Sequence, residues 1–328
     1  MKDVIKRFTE TFGPSGYEEK IREVIINEIK DYADYSVDKL GNLIVRKEGK
    51  GKKIMFAAHM DEIGLMVTHI DDKGFLRFTN IGGLFPTNLV NQRVIFSNGL
   101  VGVIGEEPRK DFREVSPIDK LFIDIGMPNK KEAEKKIRIG EVGVFYRGFD
   151  DLGNRFISKA LDDRIGCVVL AEVIKKIKNP LNDLYFVFTV QEELGLRGAR
   201  TSAFGIDPDY AIAIDVTGTG DIPESPKIPM ELGKGTCIKV KDYGMISSRY
   251  VREKLIEIAE RKKIPYQLEI LLMGTTDAAV IQLNKEGVPS GVLSVPTRYV
   301  HSPSELADYS DVQATIDLLL AFAQEKLD

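Results

Sequence analysis

The sequence predicts an α/β fold interrupted by a small β-rich insert. Three observations carry this. First, Leu184-Tyr185-Phe186-Val187-Phe188-Thr189-Val190 is a near-unbroken apolar run, the pattern of a strand buried on both faces as in a parallel sheet. Second, similar short runs alternate with segments of helical period on both sides of the chain. Third, from Met66 to about Arg147 that alternation stops, and short alternating stretches separated by turn residues replace it. The expected division is residues 1–65 and 151–328 as two parts of one α/β domain, with 66–150 inserted between them.

Taken in order, Lys2 to Phe12 reads as a short helix. Ser15 and Glu18 have capping-box spacing and open a second helix, with Ile21, Val24, Ile25, Ile29 and Tyr32 at helical period. Tyr35 to Arg46 reads as two strands around Lys39-Leu40-Gly41-Asn42, and Lys53 to Ala58 as a short buried strand. In the insert, Gln92–Phe96 and Leu100–Ile104 read as strands around a turn, and Lys130 to Ile137 as a helix. After Ser158, a helix carries Ile165, Val168, Val169, Val173 and Ile177 on one face, and Gly198 opens another. Tyr210–Ile214 is a further buried strand, Asp221–Met230 a Pro-rich loop, and Ser247 the cap of a helix running to Arg261. Tyr266–Leu272 and Ser290–Val295 read as strands, and the last helix presents Val312, Ile316, Leu319, Leu320 and Ala323 to the core.

Composition excludes several classes. The chain has 328 residues, 43% hydrophobic and 29% charged, with a formal charge of −4. No net basic field attracts nucleic acid or an anionic membrane. No apolar run reaches membrane-span length, and the N-terminal stretch lacks a signal-peptide core. Only Cys167 and Cys237 are present, which fits a reduced, cytoplasmic protein rather than a disulfide framework.

Chemistry concentrates where strands end. Glu192 and Glu193 follow the long apolar run, the place where open α/β sheets bind ligands. Two carboxylates there are expensive unless a cation compensates them; one suits ligation and the other proton transfer. His59 and Asp61 follow the Lys53–Ala58 strand on one face, His59 as a candidate ligand and Asp61 as the group holding its second ring nitrogen. Asp162, Asp215 and His301 occupy corresponding positions, whereas His69 lies inside a strand of the insert and reads as a structural or pocket-rim residue rather than a ligand. Asp162 and Asp163 taken alone read as helix caps. The set of two histidines and several carboxylates, with no Cys, suits zinc, cobalt or manganese. It is too large for one tetrahedral ion, but two ions sharing a carboxylate would use it all.

At this point the whole chain resembles the tetrahedral (TET) dinuclear metallo-aminopeptidases, a family that includes glutamyl aminopeptidases and proteins labelled endoglucanase. The resemblance rests on Gly13-Pro14-Ser15-Gly16 with Glu18, Ala58-His59-Met60-Asp61-Glu62, Ala160-Leu161-Asp162-Asp163-Arg164, Gln191-Glu192-Glu193-Leu194-Gly195, Ile214-Asp215 and His301-Ser302-Pro303-Ser304-Glu305. It implies a mixed sheet flanked by helices, a zinc-exopeptidase-like domain with an inserted β-barrel-like domain used in assembly. It implies two divalent ions per subunit, zinc or cobalt foremost and manganese as an alternative. His59 and Asp215 would hold one ion, Glu193 and His301 the other, and Asp162 would bridge them. Glu192 would be the general base and acid, and Asp61 would orient His59. The peptide bond after Asp162 would be cis. The implied substrates are short peptides with a free N-terminus, and the implied assembly is a dodecamer built from dimers. One departure stands out: Gly274-Thr275-Thr276-Asp277 replaces the family's Gly-Gly-Thr-Asp, at a turn that bears on the pocket wall.

Competing readings are a related dinuclear deacylase or carboxypeptidase, a glycosidase, and a catalytically silent assembly protein. A glycosidase would leave the histidines idle, and adjacent Glu192 and Glu193 are no obvious pair flanking a glycosidic bond.

Overall fold

A computed structural model describes residues 1–109, 111, 113–225 and 228–327. Helices α1 (Lys2–Glu10) and α2 (Glu19–Ile29) precede strands β1 (Tyr35–Val37), β2 (Leu43–Lys47) and β3 (Lys53–His59). A β-rich stretch follows, with β4 (Gly64–Ile70), β5 (Leu76–Ile81), β6 (Arg93–Phe96), β7 (Val101–Glu106), β8 (Leu121–Asp124), α3 (Lys130–Glu134) and β9 (Val142–Phe145). Next come β10 (Asp150–Asp151), β11 (Arg155–Ser158), α4 (Leu161–Lys176), β12 (Asp183–Thr189), α5 (Arg197–Ile206) and β13 (Tyr210–Gly218). The chain closes with β14 (Thr236–Lys241), α6 (Arg249–Lys262), β15 (Tyr266–Ile270), α7 (Ala278–Ile281), β16 (Ser290–Arg298), β17 (Glu305–Asp308) and α8 (Tyr309–Ala323).

Eleven strands form one mixed sheet in the order β1-β2-β12-β3-β13-β16-β17-β11-β10, with β14 joined to β16 and β15 to β14. Its centre, β12-β3-β13-β16, is parallel. Alternation along the strands explains the apolar runs. Phe56, Phe186, Phe188 and Ile212 enter a core shared with α1, α2, α4, α6 and α8. Their neighbours Met55, Ala57, Val187 and Ala211 enter a second core with Ala199, Ala203 and Ile281 of α5 and α7. Both faces are covered, so both alternating sets must be apolar.

Strands β4-β5-β8-β7-β6-β9 close an antiparallel barrel. Val67, Leu76, Val94, Ile104, Leu121 and Ile123 fill it as a core of its own. Closure leaves no strand edge within the ring. The mixed sheet and the barrel are the fold the sequence implies.

Several local expectations are corrected. Ser15 does not cap α2: its hydroxyl donates to Asp61 Oδ2 at 2.6 Å, and no side chain caps that helix. Ser247 does not cap α6 either: its hydroxyl donates to the Lys239 carbonyl at 2.6 Å, and Ser248 occupies the N-cap position. Tertiary partners outcompete the local cap at both sites. The helix expected over Lys130–Ile137 ends at Glu134, and the strand expected over Tyr210–Ile214 continues to Gly218. Strand β14 has no counterpart in the sequence reading, because Lys239 and Lys241 break the apolar pattern; Lys239 is nevertheless fully buried. Among the described residues no helix is long and apolar enough to cross a membrane.

Candidate metal centre

Four parallel strands point their C-terminal ends at one cleft. His59 is the last residue of β3, in register with Thr189, the last of β12. Glu192 and Glu193 follow β12 after Gln191, whose φ of 55° turns the chain over the strand end. Asp215 lies within β13, beside Ser294 of β16. His301 comes three residues after β16, through two residues of positive φ, Tyr299 and His301 itself. Asp162 arrives from another direction, at the start of α4, where Asp162 and Asp163 depart from helical geometry and are joined by a cis peptide bond. Asp163 does act as a cap, since its Oδ1 accepts the Gly166 N–H at 3.0 Å. Asp162 does not.

The distances define a bridge. Asp162 Oδ1 lies 3.0 Å from His59 Nε2, and Asp162 Oδ2 lies 3.2 Å from His301 Nε2. One carboxylate thus turns a separate oxygen to each imidazole. His301 Nε2 is also 3.2 Å from Glu193 Oε1, and His59 Nε2 is 3.9 Å from Glu192 Oε2. Ligand-capable atoms of His59, Asp162 and Glu193 all lie within 4.8 Å of one another, as do those of His59, Asp163 and Asp215. All seven sequence-nominated residues therefore come together, while His69 is exposed in β4, away from the site.

The groups that hold these side chains are mostly carboxylates accepting backbone amides. Asp61 accepts the N–H of Glu192 at 3.0 Å through Oδ1 and that of Glu193 at 3.2 Å through Oδ2. His59 Nδ1 meets the Asp61 carbonyl at 3.1 Å and its carboxylate at 3.5 Å. With Nδ1 donating to that carbonyl, Nε2 keeps its lone pair for the cleft. Glu305 accepts the N–H of Asp162 at 3.1 Å and of His301 at 2.9 Å. Glu18 accepts Gly16 and Gln191 at 2.8 and 3.1 Å. Asp277 Oδ2 accepts the Thr189 hydroxyl at 2.5 Å. Behind Asp61, Glu62 pairs with Lys159 at 2.6 Å and accepts Gly13 N–H at 3.1 Å. Glu18, Asp163, Asp277 and Glu305 escaped the sequence reading as working groups. The one available signal was that all four lie inside stretches quoted above, where Asp163 read only as a cap.

Electrostatics point the same way. Burial, and after it Asp162, pushes Asp215 up to about 8. Burial raises Glu192 well above the carboxylate range, with Asp215 and Glu193 adding to it. Burial raises Asp163 too, reinforced by Asp215. His301 loses basicity to burial but gains more from Asp162 and Glu193, ending at about 12. Carboxylates crowded out of water in this way favour a cation among them. The donor set is imidazole and carboxylate, which fits divalent metal.

The departure at Thr275 is accommodated locally. A Cβ on Gly244 would come within 2.2 Å of Thr275 Oγ1, so Gly244 gives the room that the added side chain needs. Gly83 does the same for His301, whose Nδ1 would lie 2.5 Å from a Cβ there.

Residues 41–318 match the family model described as M42 glutamyl aminopeptidase. The chain belongs to that family. It is 52% identical over 98% of its length to a protein of Acetivibrio thermocellus named as a candidate aminopeptidase, covering 97% of that relative. An aminopeptidase of the archaeon Desulfurococcus kamchatkensis superposes with a TM-score of 0.95 at 44% identity, over 98% of this chain and 94% of that one. The Pyrococcus horikoshii TET1 peptidase, which can assemble into a tetrahedron or a large octahedral shell, superposes with a TM-score of 0.92 at 40% identity over 99% of both chains. This M42 protein is a metal-dependent aminopeptidase, a hydrolase that uses divalent metal.

Proposed function

We propose that the centre holds two divalent ions, zinc or cobalt in preference to manganese, and removes single residues from the free N-terminus of short peptides. The observation that carries this is the Asp162 carboxylate, with one oxygen toward His59 and the other toward His301. In this reading Asp162 would serve both ions, His59 and Asp215 would hold one, and Glu193 and His301 would hold the other. When bound, two such ions would supply polarisation of the scissile carbonyl and a more acidic water.

The protein's own groups do the rest. Glu192 takes the water proton and passes it to the leaving amine; burial has already raised its proton affinity. Asp61 fixes the backbone of Glu192 and Glu193 and the ring of His59 in one step, so base and ligands keep a common frame. The acidic groups around the cleft suit the peptide's terminal ammonium. We further propose that residues 66–150 form an inserted domain between 1–65 and 151–328 and serve self-assembly into a dodecamer. The assembly of the Pyrococcus horikoshii TET1 peptidase supports this. The two unpaired, buried cysteines support a cytoplasmic setting as part of this reading.

The test combines metal analysis with a peptide panel bearing free or acetylated N-termini. The wild-type protein should bind two ions per chain and cleave only the free-ended peptides. Glu192→Gln should keep both ions and lose roughly 10²- to 10⁴-fold in kcat. Near-normal turnover by that variant, or cleavage of acetylated peptides, would refute the assignment.

A further inference from the structure

The centre opens into a cleft of 620 Å³. Among the described residues lining it, Lys239 is the one charged side chain that does not belong to the proposed centre. That ammonium is already engaged. It lies 2.9 Å from Glu269 Oε1 and 3.5 Å from Asp242 Oδ2, with all three side chains fully buried. The group carries one more negative than positive charge, so it offers no cation to a substrate carboxylate. Nor does it offer a substrate ammonium an open acid, since Lys239 is the member that faces the cleft.

What the cleft does present is apolar. Val216 adjoins Asp215, Phe85 approaches His301 with ring centroids 6.1 Å apart, and Leu271 and Met273 come from the loop after β15. Phe85 is 54% and Met273 78% exposed. Large apolar side chains left open at the edge of a reactive cleft mark a surface that a ligand covers.

We propose that this cleft selects peptides whose N-terminal residue has a large apolar side chain, leucine or methionine in kind, with Phe85, Leu271 and Met273 setting the preference. Acidic N-terminal residues, the ones in the family's description, are then poor substrates. The inference rests on the aminopeptidase reading and narrows it. Covering a leucine-sized side chain is worth roughly 10- to 100-fold in kcat/KM over alanine. A glutamate or lysine side chain would lose its water without gaining a partner, and falls further behind.

The experiment uses the metal-loaded protein and peptides X-Ala-Ala with X as Leu, Met, Ala, Glu or Lys. Leu and Met should exceed Ala by at least tenfold, and Glu and Lys should fall below Ala. The double variant Leu271→Ser with Met273→Ser should narrow the Leu-to-Ala ratio at least fivefold. Both changes fall in one loop beside the cleft, and unfolding curves check that the fold is kept. Glu or Lys equal to or better than Leu would overturn the inference while leaving the aminopeptidase reading intact. So would a variant that lowers Leu and Ala in equal proportion. Cleavage of none of the five peptides would overturn both.

Discussion

Removing the Glu305 carboxylate tests whether amide-accepting acids hold the centre. Glu305 is buried, and its two oxygens accept the N–H groups of Asp162 and His301, residues far apart in sequence that meet at the bridge. Glu305→Ala leaves the buried Asp162 amide and the part-buried His301 amide without acceptors. Each such loss costs about 1–3 kcal/mol, so the variant should lose roughly 2–5 kcal/mol of stability. The same bonds aim two proposed ligands, and losing an outer partner of this kind weakens metal binding about 10- to 100-fold. Glu305→Gln keeps one acceptor oxygen and should fall between wild type and Glu305→Ala on both counts.

Two assays read this separately. Denaturant unfolding of metal-stripped protein gives the stability change, and competition with a chromophoric chelator gives the affinity for zinc. An Ala variant within about 0.5 kcal/mol of wild type, the range of ordinary surface changes, and with undiminished zinc affinity would refute the argument. A loss of stability with unchanged affinity would restrict Glu305 to a structural part.

Two other perturbations follow from the same bonding. Arg164→Met should destabilise by roughly 3–5 kcal/mol in urea unfolding, because the buried guanidinium donates to the carbonyls of Phe8, Thr11 and Gly13 at 2.6, 2.9 and 3.1 Å and lies 3.4 Å from Glu62; a loss under about 1 kcal/mol would contradict this. Asp311, away from the centre, accepts Gly235 and Gly233 N–H at 2.7 Å each, and burial raises it to about 6. Its folded form holds the proton more tightly than the unfolded chain, so its contribution is complete below about pH 4 and is lost as pH rises through 6. Roughly 2 kcal/mol should therefore separate the pH 4 and pH 7 values of the wild-type minus Asp311→Asn stability difference, and a difference independent of pH would contradict it.

The legible part of the site was the part attached to apolar runs. His59, Glu192, Glu193 and Asp215 each lie within, at the end of or just past a strand whose two faces are buried, and an acid or imidazole at that place stands out against Phe, Val and Ile. The unread part has no such contrast. Glu18 works by accepting the amide of Gln191, 173 residues away, and nothing in the helical pattern around Glu18 distinguishes that role from a cap. Strand β14 was hidden for a related reason: Lys239 satisfies its charge against Glu269 inside the sheet, so a residue type that reads as solvent-facing is in fact enclosed.

That difference has a physical origin in how the centre is assembled. Burying several acids at strand ends raises their proton affinity, as Asp215 and Glu192 show, and would scatter them into water if the backbone were free to move. Asp61, Asp163 and Glu305 prevent this by taking backbone amides on both oxygens, His59 N–H among them at 3.2 Å. Each therefore ties two points of the backbone together, whereas Asp162, Glu193 and His301 keep side-chain atoms turned to one another. The division separates acids committed to positioning from those left to face a cation. It also explains why the ligand set alone, transplanted onto strand ends without Asp61 and Glu305, would not reproduce the centre.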